Sequence, residues 1–156
     1  MLELYQSEDC PDCARVREKL ASIGASYVVR TVPIDRARRE RVTEAGGRPD
    51  IPLLLDPERG RTTYDADQII EVLGADDLFG ADLEAEASLA RLIQIEGDPE
   101  SAEARKALDR AGIDYVSVPA RPGMPDLPRL MEPNGGATRI GAQAVKDWAT
   151  GWSRRE

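Results

Sequence analysis

The chain has 156 residues, room for one medium domain or two small ones, and its 41% hydrophobic but only 4% aromatic content implies an aliphatic core. It holds no histidine and two cysteines, which excludes histidine general-base catalysis, histidine metal sites and a four-ligand structural zinc site within one chain. A net charge of −8 with no stripe of Lys or Arg sets nucleic-acid binding aside.

Only Lys19, Lys106 and Lys146 are lysines. That bias fits either a protein of a salt-loving microbe or an ordinary acidic surface from a GC-rich genome, and it bears on solubility. No run of eighteen apolar residues is present, so no membrane span is expected. Met1–Tyr5 enters an alternating pattern without a basic region and apolar segment. No secretory signal is expected, and the expected location is the cytoplasm.

In chain order, Leu2–Gln6 alternates and predicts a strand. Pro11–Ile23 predicts a helix, with Val16 and Leu20 four apart, Pro11 in the first helical position and Gly24 at the end. Ser26–Val32 predicts a second strand. Asp35–Ala45 is charged and Arg-rich, ahead of Gly46-Gly47, and predicts a solvated helix. Pro52–Asp56 and Arg61–Tyr64 predict short strands around a turn at Pro57–Gly60, and Asp67–Leu73 a short helix. The order is β-α-β-α-β-β-α.

The pattern then recurs. Under a shift of 88, Leu4, Gln6, Glu8, Pro11, Ala14, Arg17, Leu20, Gly24, Tyr27 and Val28 meet identical residues at Leu92, Gln94, Glu96, Pro99, Ala102, Arg105, Leu108, Gly112, Tyr115 and Val116. Under a shift of 76, Pro49-Asp50-Ile51-Pro52 meets Pro125-Asp126-Leu127-Pro128. Second-half elements are expected at 91–96, 99–111, 114–118, 130–132, 138–140 and 143–150. The shifts differ by twelve residues, which fall on the middle helix. The expected fold is α/β: two tandem domains, each a small mixed sheet flanked by helices, the second lacking its middle helix. The divisions are 1–74, a helix-prone linker at 75–90, and 91–156. The linker, the first domain, a partner chain or the 120–126 loop is expected to cover the sheet face left short of a helix. Trp148 and Trp152, four apart, are expected to pack on their own core, with a partner-binding edge as the alternative.

Cys10-Pro11-Asp12-Cys13 lies where the first strand turns into the first helix. Free N–H groups and the helix dipole favour thiolate at such a position, and thiolate is the attacking species in disulfide exchange. Cys13, one turn on and more buried, would resolve the mixed disulfide. The alternative is an inert or metal-bound pair. In the second half the same positions are Asp98 and Ser101, a plain helix start.

Strand, Cys-Pro-x-Cys, helix, and a proline at the start of the third strand together resemble the glutaredoxins of the thioredoxin superfamily and the related N-terminal domains of glutathione S-transferases. The resemblance covers about 1–73 with the motif and 91–150 without it. It implies a cis proline at Pro52, Ile51 backbone pairing with an extended substrate, and capture of a glutamyl carboxylate near Ala66 and Asp67. The alternative for Asp65 and Asp67 is helix capping. It implies no bound cofactor or metal, glutathione or another small thiol as co-substrate, and disulfide-bearing proteins or small thiols as partners. Oligomeric state is left open. Glu8, Asp9 and Asp12 are expected to oppose the Cys10 thiolate and repel glutathione, with Arg15, Arg17 and Arg48 offsetting them in part. The activity expected is dithiol oxidoreduction by Cys10 and Cys13. The alternatives are a thioredoxin-fold binding module with little turnover and, more weakly, a transferase, for which the all-helical C-terminal domain is missing.

Overall fold

In the computed structural model, which describes residues 1–75 and 86–153, β1 (Glu3–Gln6) and β2 (Tyr27–Thr31) run parallel around the crossover helix α1 (Pro11–Ser22). α2 (Glu40–Gly46) follows, then the hairpin β3 (Leu53–Asp56) and β4 (Arg61–Tyr64), and α3 (Ala66–Ala75). The second half runs β5 (Ala90–Gln94), α4 (Pro99–Arg110), β6 (Tyr115–Pro119), β7 (Arg129–Met131), β8 (Thr138–Ile140) and α5 (Ala142–Ser153). No helix stands between β6 and β7, as the missing twelve residues require. The arrangement in each half is thioredoxin-like.

Among the described residues, eight strands form one sheet, in the order β4-β3-β1-β2-β6-β5-β7-β8. The halves join where β2 meets β6 antiparallel, with Tyr27 opposite Ser117, Val28 opposite Val116 and Val29 opposite Tyr115. Val28 and Val116 are themselves partners under the 88-residue shift. The join is therefore a pseudo-two-fold axis through that pair. Val16 and Leu20 of α1, Ile69 and Leu73 of α3, Ala104 and Leu108 of α4, and Val145 and Ala149 of α5 bury a common core on one sheet face. At about 1.5–3 kcal/mol for each large aliphatic side chain, this face dominates the folding energy.

The opposite face carries α2, whose Val42 packs on Val32 and Leu53. One expectation is corrected here. The segment 35–45 is not a single solvated helix but a 3-10 turn at Arg36–Arg38 followed by α2. Asp35 caps the turn through the Ala37 N–H at 3.0 Å. Arg39 leaves helical geometry (φ −107°, ψ 43°) because its guanidinium turns back to donate to the carbonyls of Pro33, Ile34 and Pro49.

In the second half, strand register puts Met131 and Ile140 on that same face, 37% and 52% exposed. The expected helical cover at 75–90 lies mostly outside the described residues. Its described end, Glu86–Leu89, is a turn, and Ala90 already belongs to β5. Trp148 and Trp152 stack on each other at 5.1 Å and pack on the main core, as expected.

Across the axis lies a buried set of charges. Arg17 donates to Gln6 at 2.6 Å, pairs with Glu8 at 3.4 Å and reaches over to Glu96 at 3.2 Å. Arg105 repeats this with Gln94 at 2.6 Å, Glu96 at 3.5 Å and Glu8 at 3.4 Å. All four charged side chains are nine-tenths buried or more. On the other face Asp114 accepts from the Thr31 N–H at 3.0 Å and pairs with Arg30 and Arg41, while Arg30 also pairs with Glu3.

Removing one member of a buried ion set leaves its partner uncompensated, at about 3–5 kcal/mol. Arg105→Met is expected to lower the urea-unfolding free energy by about that much. A loss below about 1 kcal/mol would show that the charges do not hold the halves together.

Candidate active site

Cys10 is the N-cap of α1, in extended geometry (φ −95°, ψ 113°), with Pro11 in the first helical position. The missing N–H of Pro11 leaves the next donors free to face the sulfur. The Cys13 N–H donates to Cys10 Sγ at 3.2 Å. Both thiols are free, Cys10 at 8% exposure and Cys13 fully buried, so Cys10 is the more open of the two.

The Cys10 thiol is lowered to about 6. The hydrogen bond from the Cys13 side chain does most of this. Burial works against it, the backbone N–H groups of Cys13 and Asp12 add to it, and the Asp12 carboxylate opposes it. The Cys13 thiol is pushed strongly upward, first by its hydrogen bond to Cys10, then by burial. The pair thus shares a proton that resides on Cys13.

This corrects the expectation that three carboxylates would oppose the thiolate. Asp12 does so, but it is tied to Arg15 at 3.5 Å. Glu8 is turned away into the buried charge set, held by both Arg17 and Arg105. Asp9 is exposed. Of the arginines expected to offset these acids, Arg15 pairs with Asp12 and Arg17 with Glu8. Arg17 is engaged at the join. Arg48 pairs with Asp50 at 3.0 Å and lies 4.2 Å over the Tyr64 ring.

The Ile51–Pro52 bond is cis, as is Leu127–Pro128 in the second half. Pro52 is buried and Ile51 half-buried. The loop before them is anchored by Tyr64, whose hydroxyl donates to the Arg48 carbonyl at 2.8 Å and accepts from the Arg48 N–H at 3.2 Å. Gly46 permits this approach, because a Cβ there would come within 2.3 Å of the Tyr64 hydroxyl.

At the start of α3, Asp65 adopts a left-handed conformation (φ 71°) and accepts from the N–H groups of Asp67 at 2.9 Å and Gln68 at 3.4 Å. Ala66 is buried. Helix capping by Asp65 is therefore present, and the Asp67 N–H already has a carboxylate partner. The Asp67 side chain pairs with Arg15, which also holds Asp12. Arg15 adds a surface ion pair to the core packing between the cysteine helix and α3. Sequence reasoning gave it a looser role, since nothing in the spacing shows that helices 50 residues apart touch.

In the second half Asp98 caps Ser101 N–H at 2.8 Å, and Ser101 Oγ accepts from Ile95 N–H at 3.2 Å. The helix start is preserved with oxygen in place of sulfur. Among the described residues, no group of three or more His, Cys, Asp or Glu side chains could hold a metal, and no helix is long and apolar enough to cross a membrane.

Two substitutions separate the causes at Cys10. Cys13→Ala removes the largest favourable donor and is expected to raise the midpoint of Cys10 alkylation against pH by roughly one unit or more. Asp12→Asn removes the opposing charge and is expected to move it down. A midpoint unmoved by Cys13→Ala would contradict the assignment.

A family model for glutaredoxin matches residues 2–55, which contain β1, α1, both cysteines and Pro52. Glutaredoxin 3 of Escherichia coli strain K12 is 34% identical over 83 residues, covering 52% of this chain and 84% of that protein. The proteins of the same name from Escherichia coli O6:H1 and O157:H7 match to the same extent. No solved structure matches the chain. With the dithiol geometry above, these likenesses show that the chain belongs to the glutaredoxin family of thiol oxidoreductases.

Proposed function

We propose that the chain reduces mixed disulfides of proteins or small thiols by dithiol exchange, with Cys10 as nucleophile and Cys13 as resolving thiol. The observation that carries this is the donation from Cys13 to Cys10 Sγ at the start of α1, which holds Cys10 as thiolate near neutral pH. The Cys10 thiolate attacks one sulfur of the substrate disulfide. An S–S bond forms to Cys10, and the other substrate sulfur leaves as thiolate. Cys13 then loses its proton to solvent or to the departing thiolate and attacks Cys10 Sγ. The Cys10–Cys13 disulfide forms and the second substrate thiolate leaves. Two electrons pass from the dithiol to the substrate, and two molecules of an external thiol such as glutathione restore the dithiol and leave joined as their own disulfide.

The order is built into the pair. While Cys10 is a thiolate, its hydrogen bond keeps the proton on Cys13. Once Cys10 is in a mixed disulfide, that cause is gone and Cys13 becomes more acidic than it is in the free dithiol. The Ile51 backbone beside cis Pro52 supports alignment of an extended substrate, and the α3 start at Ala66 and Asp67 is our choice for a glutamyl group. Since Asp65 already caps Asp67, we assign that group to the Arg15–Asp67 pair as much as to the helix N–H groups. No resident cofactor is needed. The lowered Cys10 thiol favours exchange over a binding module. We read 1–74 as the redox domain, 91–156 as a copy kept for structure, and the cytoplasm as the site of action.

Reduction of a glutathionylated peptide should be lost in Cys10→Ser, by about 10³-fold or more as expected for removal of a nucleophile. Cys13→Ser should accumulate a mixed disulfide on Cys10, visible by mass. Equal rates for wild type and Cys10→Ser would end this reading.

A further inference from the structure

The loop that presents the thiol, Ser7–Cys10, is gripped from the other half of the chain. Its residue Glu8 is held at both ends. Its backbone N–H donates to Asp109 Oδ2 at 3.3 Å, and its carboxylate receives Arg105 at 3.4 Å. Both partners lie on α4, more than ninety residues away in sequence. Two residues further on, the Cys10 N–H closes the loop on the Ser7 carbonyl at 3.2 Å.

The pseudo-symmetry supplies a control. The residue equivalent to Asp109 is Ala21, and the loop equivalent to 7–10 is 95–98, which ends in Asp98 and carries no thiol. On that side, among the described residues, Ala21 offers the Glu96 backbone no carboxylate. Instead a cleft of about 470 Å³ opens, lined by Ala21, Arg17, Glu96 and Gly97 among others. The charge set is symmetric, but among the described residues the grip on the loop backbone is made on the side that holds a cysteine.

Asp109 is also a poor choice for stability alone. Burial raises its carboxyl to about 6, the Glu8 N–H lowers it, and the carboxylates of Glu8 and Asp9 raise it while Arg17 lowers it. A carboxylate kept there against that cost has a task in the loop.

We propose that Asp109, with Arg105, is a positioning residue for Cys10: the cysteine-free half fixes the Glu8 backbone and thereby holds Cys10 Sγ within reach of the Cys13 donors. This rests on Cys10 being the reactive thiol. The half without redox chemistry thus forms part of the redox site.

The test follows the rate of Cys10 alkylation by iodoacetamide against pH in reduced wild type, Asp109→Ala and Asp109→Asn, with thermal unfolding on the same samples. Asparagine keeps a carbonyl oxygen for the Glu8 amide and loses the charge; alanine keeps neither. The expected result is a midpoint raised by roughly 0.5–1 unit in Asp109→Ala, toward free cysteine, and a wild-type midpoint in Asp109→Asn. Identical midpoints in all three, whatever the unfolding temperatures, overturn the proposal. So does a downward shift shared by both variants, which loss of charge alone would produce. Should Asp109→Ala fail to fold, Asp109→Ser shortens the acceptor while staying polar and is read in the same way. Alkylation needs no disulfide substrate, so this outcome is independent of whether the disulfide reductase assay succeeds.

Discussion

Two arginines and two glutamates, buried together on the pseudo-two-fold axis, constrain everything else in this chain. Taking four such charges out of water is costly, and the cost is met only if each guanidinium lies between both carboxylates and a glutamine. The arrangement of α1 and α4 meets that condition. It brings β2 against β6 antiparallel and merges two small sheets into one of eight strands. Each half alone would leave an arginine and a glutamate with incomplete partners. The halves are small for independent folding in any case, and the shared core of α1, α3, α4 and α5 removes that difficulty.

The same network settles the electrostatics of the thiol. Counted along the sequence, Cys10 has three acids nearby and ought to hold its proton. In space, Glu8 belongs to the join, and Asp12 stands at the surface beside Arg15. A hydrogen bond made directly to the sulfur outweighs a solvent-screened charge further away. The donors from Cys13 therefore prevail over Asp12, and the net charge of the chain tells little about its reactive group.

Much of this was legible in the residues. The 88- and 76-residue shifts disclosed the repeated order, the absent middle helix and the recurrence of Pro52 as Pro128, because these are local signals or signals of register, while the cis geometry was implied by the family resemblance. The identities Gln6/Gln94, Glu8/Glu96 and Arg17/Arg105 were visible too, but their meaning was not. A linear comparison shows that residues recur without showing that they face one another. Arg15–Asp67 and Glu8–Asp109 escaped for the same reason, since both are contacts between distant segments. The break at Arg39 escaped because it is made by a side chain turning back on the backbone, which competes with helix propensity. Capping by Asp65 is one of two readings of that helix start, and the left-handed turn at the residue shows how the cap is made.

The central claim is that the donors of Cys13, set by the helix start, make Cys10 a thiolate at neutral pH despite an acidic chain. Titration of thiolate absorbance in the fully reduced wild-type protein tests it most directly. The prediction is one thiol ionising with a midpoint at about 6 and the second held protonated well above the ordinary cysteine range. A first midpoint at or above the ordinary cysteine value of about 8.5 would contradict it.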